Sequence, residues 1–177
     1  MHNQNNTIFL DLIATFFPER VRIIQNSNNE KLNQFNMLDY IHNSNADNVA
    51  ITLFNDLNKR NDFTVVLLDT WLDEKLHKKE FMEELFNMNG LHLQLHDSWI
   101  LPYTQKNTHS PLVAATEWID NHTRDNYTVI LDEYYKHLVE FSTNSAIDYN
   151  HSVFVNKQNG LSSNNIREIY KSIDLWY

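Results

Sequence analysis

Residues 7–24, TIFLDLIATFFPERVRII, decide how the chain is read. Ile8, Phe9, Leu10 and Leu12 surround an acid, Asp11, which an ordinary core strand would not carry. Thr15-Phe16-Phe17-Pro18-Glu19-Arg20 follows, with Pro18 opening a helical run, Glu19–Ile24, where its missing N–H costs nothing. A strand over Ile8–Leu12 running into a turn and a helix is expected.

The chain outward from that segment alternates strand-like and helix-like runs. Met37–His42, Phe63–Leu68, Leu91–Leu95, Tyr127–Leu131 and Ser152–Val155 read as strands. Phe63–Leu68 and Tyr127–Leu131 are continuously apolar, as a sheet covered on both faces requires, whereas His92 and Gln94 make Leu91–Leu95 half-exposed. Helices are expected over Ala46–Arg60 with Ser44 or Asn45 as cap, and over Leu72–Met88, Pro111–His122 and Ile166–Ile173. Asn26–Asn29, Thr104–Ser110 and Asn156–Gly160 read as breaks and turns. This order predicts an α/β fold, a mainly parallel sheet flanked by helices, as a single domain over residues 1–177.

Composition excludes several functions. Two glycines, Gly90 and Gly160, leave no room for a GxGxxG or GxxxxGK[ST] phosphate loop. Zero cysteines remove disulfides, thiolate metal sites and thiol nucleophiles, in keeping with an intracellular protein. A net charge of -9 opposes nucleic-acid binding over the whole surface and suits a protein partner. No apolar run approaches a membrane span, and residues 1–7 are polar, so neither a transmembrane helix nor a signal peptide is expected.

Asp11, Thr15, Phe16, Pro18, Glu19 and Arg20 together resemble the second core strand of the eukaryotic RecA-like strand-exchange recombinases. There the segment reads hydrophobic-Ile-Asp-Thr-Glu-Gly-Thr-Phe-Arg-Pro-Glu-Arg. FTVVLLDTW is similar to the strand carrying the Walker B aspartate, which puts Asp69 at that position. SPLVAATEWIDNHTRDNYTVILDEYY resembles the helix and strand before the second DNA-binding loop, and SVFVNKQNGLSSNNIREIYKS the late hairpin. The resemblance implies a RecA-like core truncated at its N-terminus, since only seven residues precede Ile8, and a gap inside the sheet where the phosphate-loop strand would lie. Ile13 stands where the family places the glutamate that activates water, and an alkyl group neither accepts a proton nor orients water.

The resemblance therefore implies a catalytically degenerate, nuclear paralog in homologous recombination and DNA repair, with no cofactor. Its partners would be a second paralog and the recombinase, in a hetero-oligomer that meets single-stranded DNA only as a complex. Tyr134, Tyr135, Lys136 and His137 would be the DNA-contacting residues, aromatic and basic groups suiting a single strand, although Glu133 and Glu140 flank them. Two rivals stand beside it. One is an acidic immunity- or inhibitor-type binding protein; the other is a metal-dependent enzyme using Glu74 with His77 and Glu133 with His137. Solvated helix faces are the preferred account of those pairs, and of Lys75, Lys78 and Lys79. Asp69 and Asp132 end apolar strands, either as ligand positions or as polar residues leaving the core. Glu19 and Arg20 are expected to pair, and Trp176 and Tyr177 to seal the core or touch a partner.

Overall fold

The computed structural model describes residues 6–19, 46–69, 78–101, 111–122, 126–141 and 147–174. The expected strand Met37–His42, the polar stretches 26–29 and 104–110, and Arg20, Glu74, Lys75, His77, Trp176 and Tyr177 lie outside them.

Five parallel strands form one sheet in the order β3-β2-β1-β4-β5: β1 (Asn6–Leu10), β2 (Phe63–Leu67), β3 (Leu95–Ile100), β4 (Tyr127–Asp132) and β5 (Ser152–Val155). The α/β class with a parallel sheet flanked by helices is thus the one the alternation predicts. β1 pairs with β2 on one side and β4 on the other, so the gap implied by the resemblance does not open between the described strands.

Side-chain alternation sends each strand's residues to two helical layers. On one face Ile8, Leu10, Val65, Leu67 and Ile130 pack against α1 (Leu12–Phe16), α2 (Asn48–Arg60), α3 (Lys79–Met88) and α6 (Ser163–Ile173), with Phe16 and Phe54 edge-to-face at 5.4 Å. A buried Thr128–Ser172 hydroxyl bond of 2.7 Å ties β4 to α6. On the other face Phe9, Val66, Val129 and Leu131 meet α4 (Pro111–His122) and Val139 of α5 (Lys136–Phe141). Two short 3-10 turns, Glu133–Tyr135 and Tyr149–His151, precede α5 and β5. Among the described residues no helix is long and apolar enough to cross a membrane.

Several expectations are corrected locally. Leu12 begins α1 rather than ending β1, because the Asp11 side chain accepts the Ala14 N–H and closes a helical turn at once. α2 is capped by Asp47, whose carboxylate accepts the Val49 N–H at 2.9 Å, not by Ser44 or Asn45. Leu91–Leu95 alternates in burial as expected, but β3 starts only at Leu95. Side-chain amides take the ladder's place: Asn55 bonds the Gly90 carbonyl and the His92 N–H, and Asn58 bonds the His92 carbonyl. α3 is described from Lys79, and α6 begins three residues before Ile166 because Ser162 and Asn165 form a capping box.

Phe9 tests this packing, being fully buried and edge-to-face with Trp118 at 5.1 Å and Tyr127 at 6.4 Å. Phe9→Ala removes a ring from the centre of the sheet and should cost about 3–5 kcal/mol, read as a lowered urea midpoint. A loss under about 1 kcal/mol would contradict the packing described.

Candidate carboxylate site at the sheet's carboxyl edge

The strand register brings three aspartates together. Leu10 of β1 pairs with Leu67 of β2 and with Ile130 of β4, and all three strands run the same way. Asp11, Asp69 and Asp132, one or two residues further along, therefore end at one level of one edge. The strand order turns around between β1 and β4, the crevice where open parallel sheets bind ligands.

Each aspartate is also tied into local structure. The Asp11 backbone N–H donates to the Ile130 carbonyl at 2.9 Å, and its side chain caps α1 through Ala14 at 3.0 Å. Asp69 is buried, and its Oδ2 accepts the Leu12 N–H at 3.1 Å, joining the end of β2 to the start of α1. The Asp132 carboxylate accepts the Tyr134 N–H at 2.9 Å and caps the 3-10 turn. Burial pushes the Asp11 carboxyl above the usual carboxylate range; the Asp132 charge pushes the same way, while the Ala14, Asp132 and Ile13 N–H groups pull back. Tyr135 lies in the field of the same charges. Its phenol is raised first by burial, then by the charges of Asp11 and Asp132, and more weakly by Tyr134 and Asp69.

The residues that carry the recombinase resemblance take structural roles here. Thr15 donates its hydroxyl to the Asp11 carbonyl, Phe16 is buried beneath α2, and Pro18 packs against the turn at Gly160. Glu19 pairs with Lys157 at 3.7 Å, and its N–H donates to the Lys157 carbonyl. The expected partner, Arg20, lies outside the described residues.

Tyr134, Tyr135, Lys136 and His137 fall on the 3-10 turn and the start of α5, but they do not share one surface. Tyr135 turns toward the carboxylates and packs on the core, whereas Tyr134 and His137 line an open cleft of about 610 Å³. Its other walls are Asp132, Glu133, Leu138 and the β5–α6 turn at Asn156, Lys157 and Gln158. Glu133 is engaged by the Asn156 amide at 2.9 Å rather than by His137, which faces Glu140 at 3.9 Å. Among the described residues no group of three or more His, Asp or Glu side chains could cage a metal. Lys79, expected on a solvated face, bonds Asp97 at 3.0 Å.

Sequence reasoning missed Tyr135 as part of the carboxylate group, and Asn156, Lys157 and Gln158 as a cleft wall. The signal for that wall was Gly160. Its φ is +69°, and a Cβ there would stand 3.0 Å from Pro18 Cγ and 3.1 Å from the Thr15 carbonyl oxygen.

Comparison with protein-family models, with curated proteins and with solved structures finds no match to this chain.

The cost of desolvating the Asp11 charge, with a smaller push from Asp132, predicts a stabilising substitution. Asn caps a helix as well as Asp does, so Asp11→Asn keeps the Ala14 bond and removes the half-buried charge. With its folded pKa raised, Asp11 favours the fold fully only below its unfolded value, and that favour is lost as pH rises through the folded pKa. The variant should therefore match the wild type in acid and exceed it at neutral pH, by about 2–4 °C in Tm for each kcal/mol relieved. A variant less stable at neutral pH, without added cations, would contradict a desolvation cost at Asp11.

Proposed function

We propose that this chain is a binding domain for a phosphorylated ligand, held with a divalent cation at the carboxyl edge of its sheet. The observation that carries the reading is that Asp11, Asp69 and Asp132 end three neighbouring strands at one edge of the sheet, where the charges of all three act on the Tyr135 phenol. Gathering carboxylates at a partly enclosed edge works against stability, and a bound cation offsets it. Magnesium suits the arrangement, because it is commonly held by one or two carboxylates plus ligand phosphates and water rather than by a protein cage. The cation would also reconcile a phosphate ligand with a chain of net charge -9. Binding is favoured over turnover. The recombinase resemblance puts Ile13 where that family carries its water-activating glutamate, and an alkyl group supplies neither acid nor base there.

A second reading, the non-catalytic recombinase paralog, is supported by one surface. Tyr134, Leu138 and Phe141 are 74%, 51% and 75% exposed at helical spacing. A partner would dock on this stripe, since β1 already has a neighbour on each side. Co-purification that recovers a recombinase paralog at one-to-one stoichiometry, lost on Phe141→Lys, supports this reading; recovery unchanged by that substitution removes it.

The first reading is tested by thermal unfolding with pyrophosphate and Mg²⁺. Together they should raise Tm, with a stabilisation of about 2.7 kcal/mol when the ligand is at a hundred times its Kd. Neither alone should do so, and Asp11→Asn should lose most of the ligand-induced shift. No shift, or an equal shift without Mg²⁺, would overturn the reading.

A further inference from the structure

At the edge of the sheet, side chains hold β3 where its ladder fails. We infer that His96, Trp118 and His122 form an acid-released latch, which fastens the bulge of β3 to α4 while the His96 imidazole is neutral and opens when that ring takes up a proton. This goes beyond the proposed function and does not rest on it.

The ladder between β2 and β3 pairs Val65 with Leu95 and Leu67 with Ile100, and its register shifts between them. Val66 of β2 thus stands against residues 96–99 of β3, a bulge in a strand that forms one edge of the sheet. Backbone groups in such a bulge lose their ladder partners and need others. Side chains supply them at Ser98. Its N–H donates to His96 Nδ1 at 2.9 Å, and its carbonyl accepts the Trp118 indole N–H at 2.9 Å. The first bond comes from within β3 and the second from α4, so Ser98 is where the edge strand is fastened to the helix.

The two histidines on this indole answer acid in opposite ways. His96 sets its ring edge-to-face on Trp118 at 4.9 Å, and His122, one helical turn along α4, stacks on the same indole at 4.1 Å and 19°. The two imidazole centroids are 6.1 Å apart. His122 Nδ1 bonds the Trp118 carbonyl at 2.9 Å. A carbonyl only accepts, so His122 Nδ1 is the donor and keeps its bond when the ring is charged. At His96 the partner is an N–H, which only donates, so Nδ1 must carry the lone pair and the neutral ring holds its proton on Nε2. A proton added at Nδ1 takes that lone pair and sets two donors face to face.

The surroundings resist that proton. Burial holds the His96 pKa below the usual imidazole value, and His122 on α4 pushes the same way. Asp97 on β3 pulls upward, and Lys79 on α3 pushes down. Asp97 is itself bonded to Lys79 at 3.0 Å and lies in open solvent. On the same face β2 brings Thr64 and Val66, neither of which ionises. With its folded pKa lowered, His96 favours the closed latch fully above its unfolded value, and that favour is lost as pH falls through the folded pKa.

The test is amide hydrogen exchange of the full chain, followed residue by residue by NMR from about pH 7.5 to about pH 5. The Ser98 protection factor should fall by up to about tenfold per pH unit across the His96 titration, with no such fall at Val129 in the centre of the sheet. His96 Nδ1 should be bare at neutral pH, read from the ring nitrogen shifts, and should gain its proton over the same interval. His96→Asn places an amide oxygen near the Nδ1 position and cannot be charged, so its Ser98 protection should stay flat with pH. A protonated Nδ1 at neutral pH, an equal fall at Val129, or the wild-type fall in His96→Asn would overturn the inference. If that variant does not fold, the wild-type chain decides alone: loss of Ser98 protection together with Nδ1 protonation supports the latch, and loss without it removes the latch.

Discussion

Everything at the carboxyl edge of the sheet depends on β1 being hydrogen-bonded on both sides by strands that run parallel to it. The pairing of Leu10 with Leu67 and with Ile130 fixes where the three chains leave the sheet. A one-residue slip in either ladder would turn every core side chain to the wrong face, so the buried faces hold the register. Ile8 and Leu10 look into the larger core and Phe9 into the smaller one. The same alternation that satisfies two hydrophobic layers delivers three carboxylates to one edge.

The structure makes use of these acids even without a ligand. Asp11 starts α1, Asp69 holds the Leu12 N–H, and Asp132 starts the 3-10 turn. Caps of this kind contribute about 1 kcal/mol each, and serine, threonine or asparagine would serve as well. Capping therefore explains why a polar residue stands at each position, but not why all three are carboxylates at one edge of the sheet. Local structure and electrostatics make opposite demands at Asp11. Such a local conflict is of the kind that functional sites carry.

The α/β class was legible in the sequence because period-two runs alternate with helical ones, and Phe63–Leu68 and Tyr127–Leu131 are apolar enough to need cover on both sides. Asp69 and Asp132 were visible one at a time as strand-terminal acids. Their meeting with Asp11 was not, because it follows from the strand order, which no local pattern encodes. Reading Asp11 as part of a motif with Phe16, Pro18 and Glu19 hid its capping role and its place beside Asp132. Leu91–Leu95 misled for a different reason: its alternation reflects real burial, but Asn55 and Asn58 on a distant helix satisfy its backbone. The cleft wall at Asn156–Gln158 carried only a turn signal, since its function depends on what Gly160 lets approach.

The central claim is that the aspartates at the ends of β1 and β4 act as one cation-and-phosphate site. A crystal structure of the chain grown with Mn²⁺ and pyrophosphate, phased to show manganese by its anomalous signal, tests it most directly. The account predicts one manganese peak bonded to carboxylate oxygens of Asp11 or Asp132 and to a phosphate oxygen. Manganese absent from this edge, with Asp11 still bonded to Ala14 and pyrophosphate elsewhere or not bound, would contradict it.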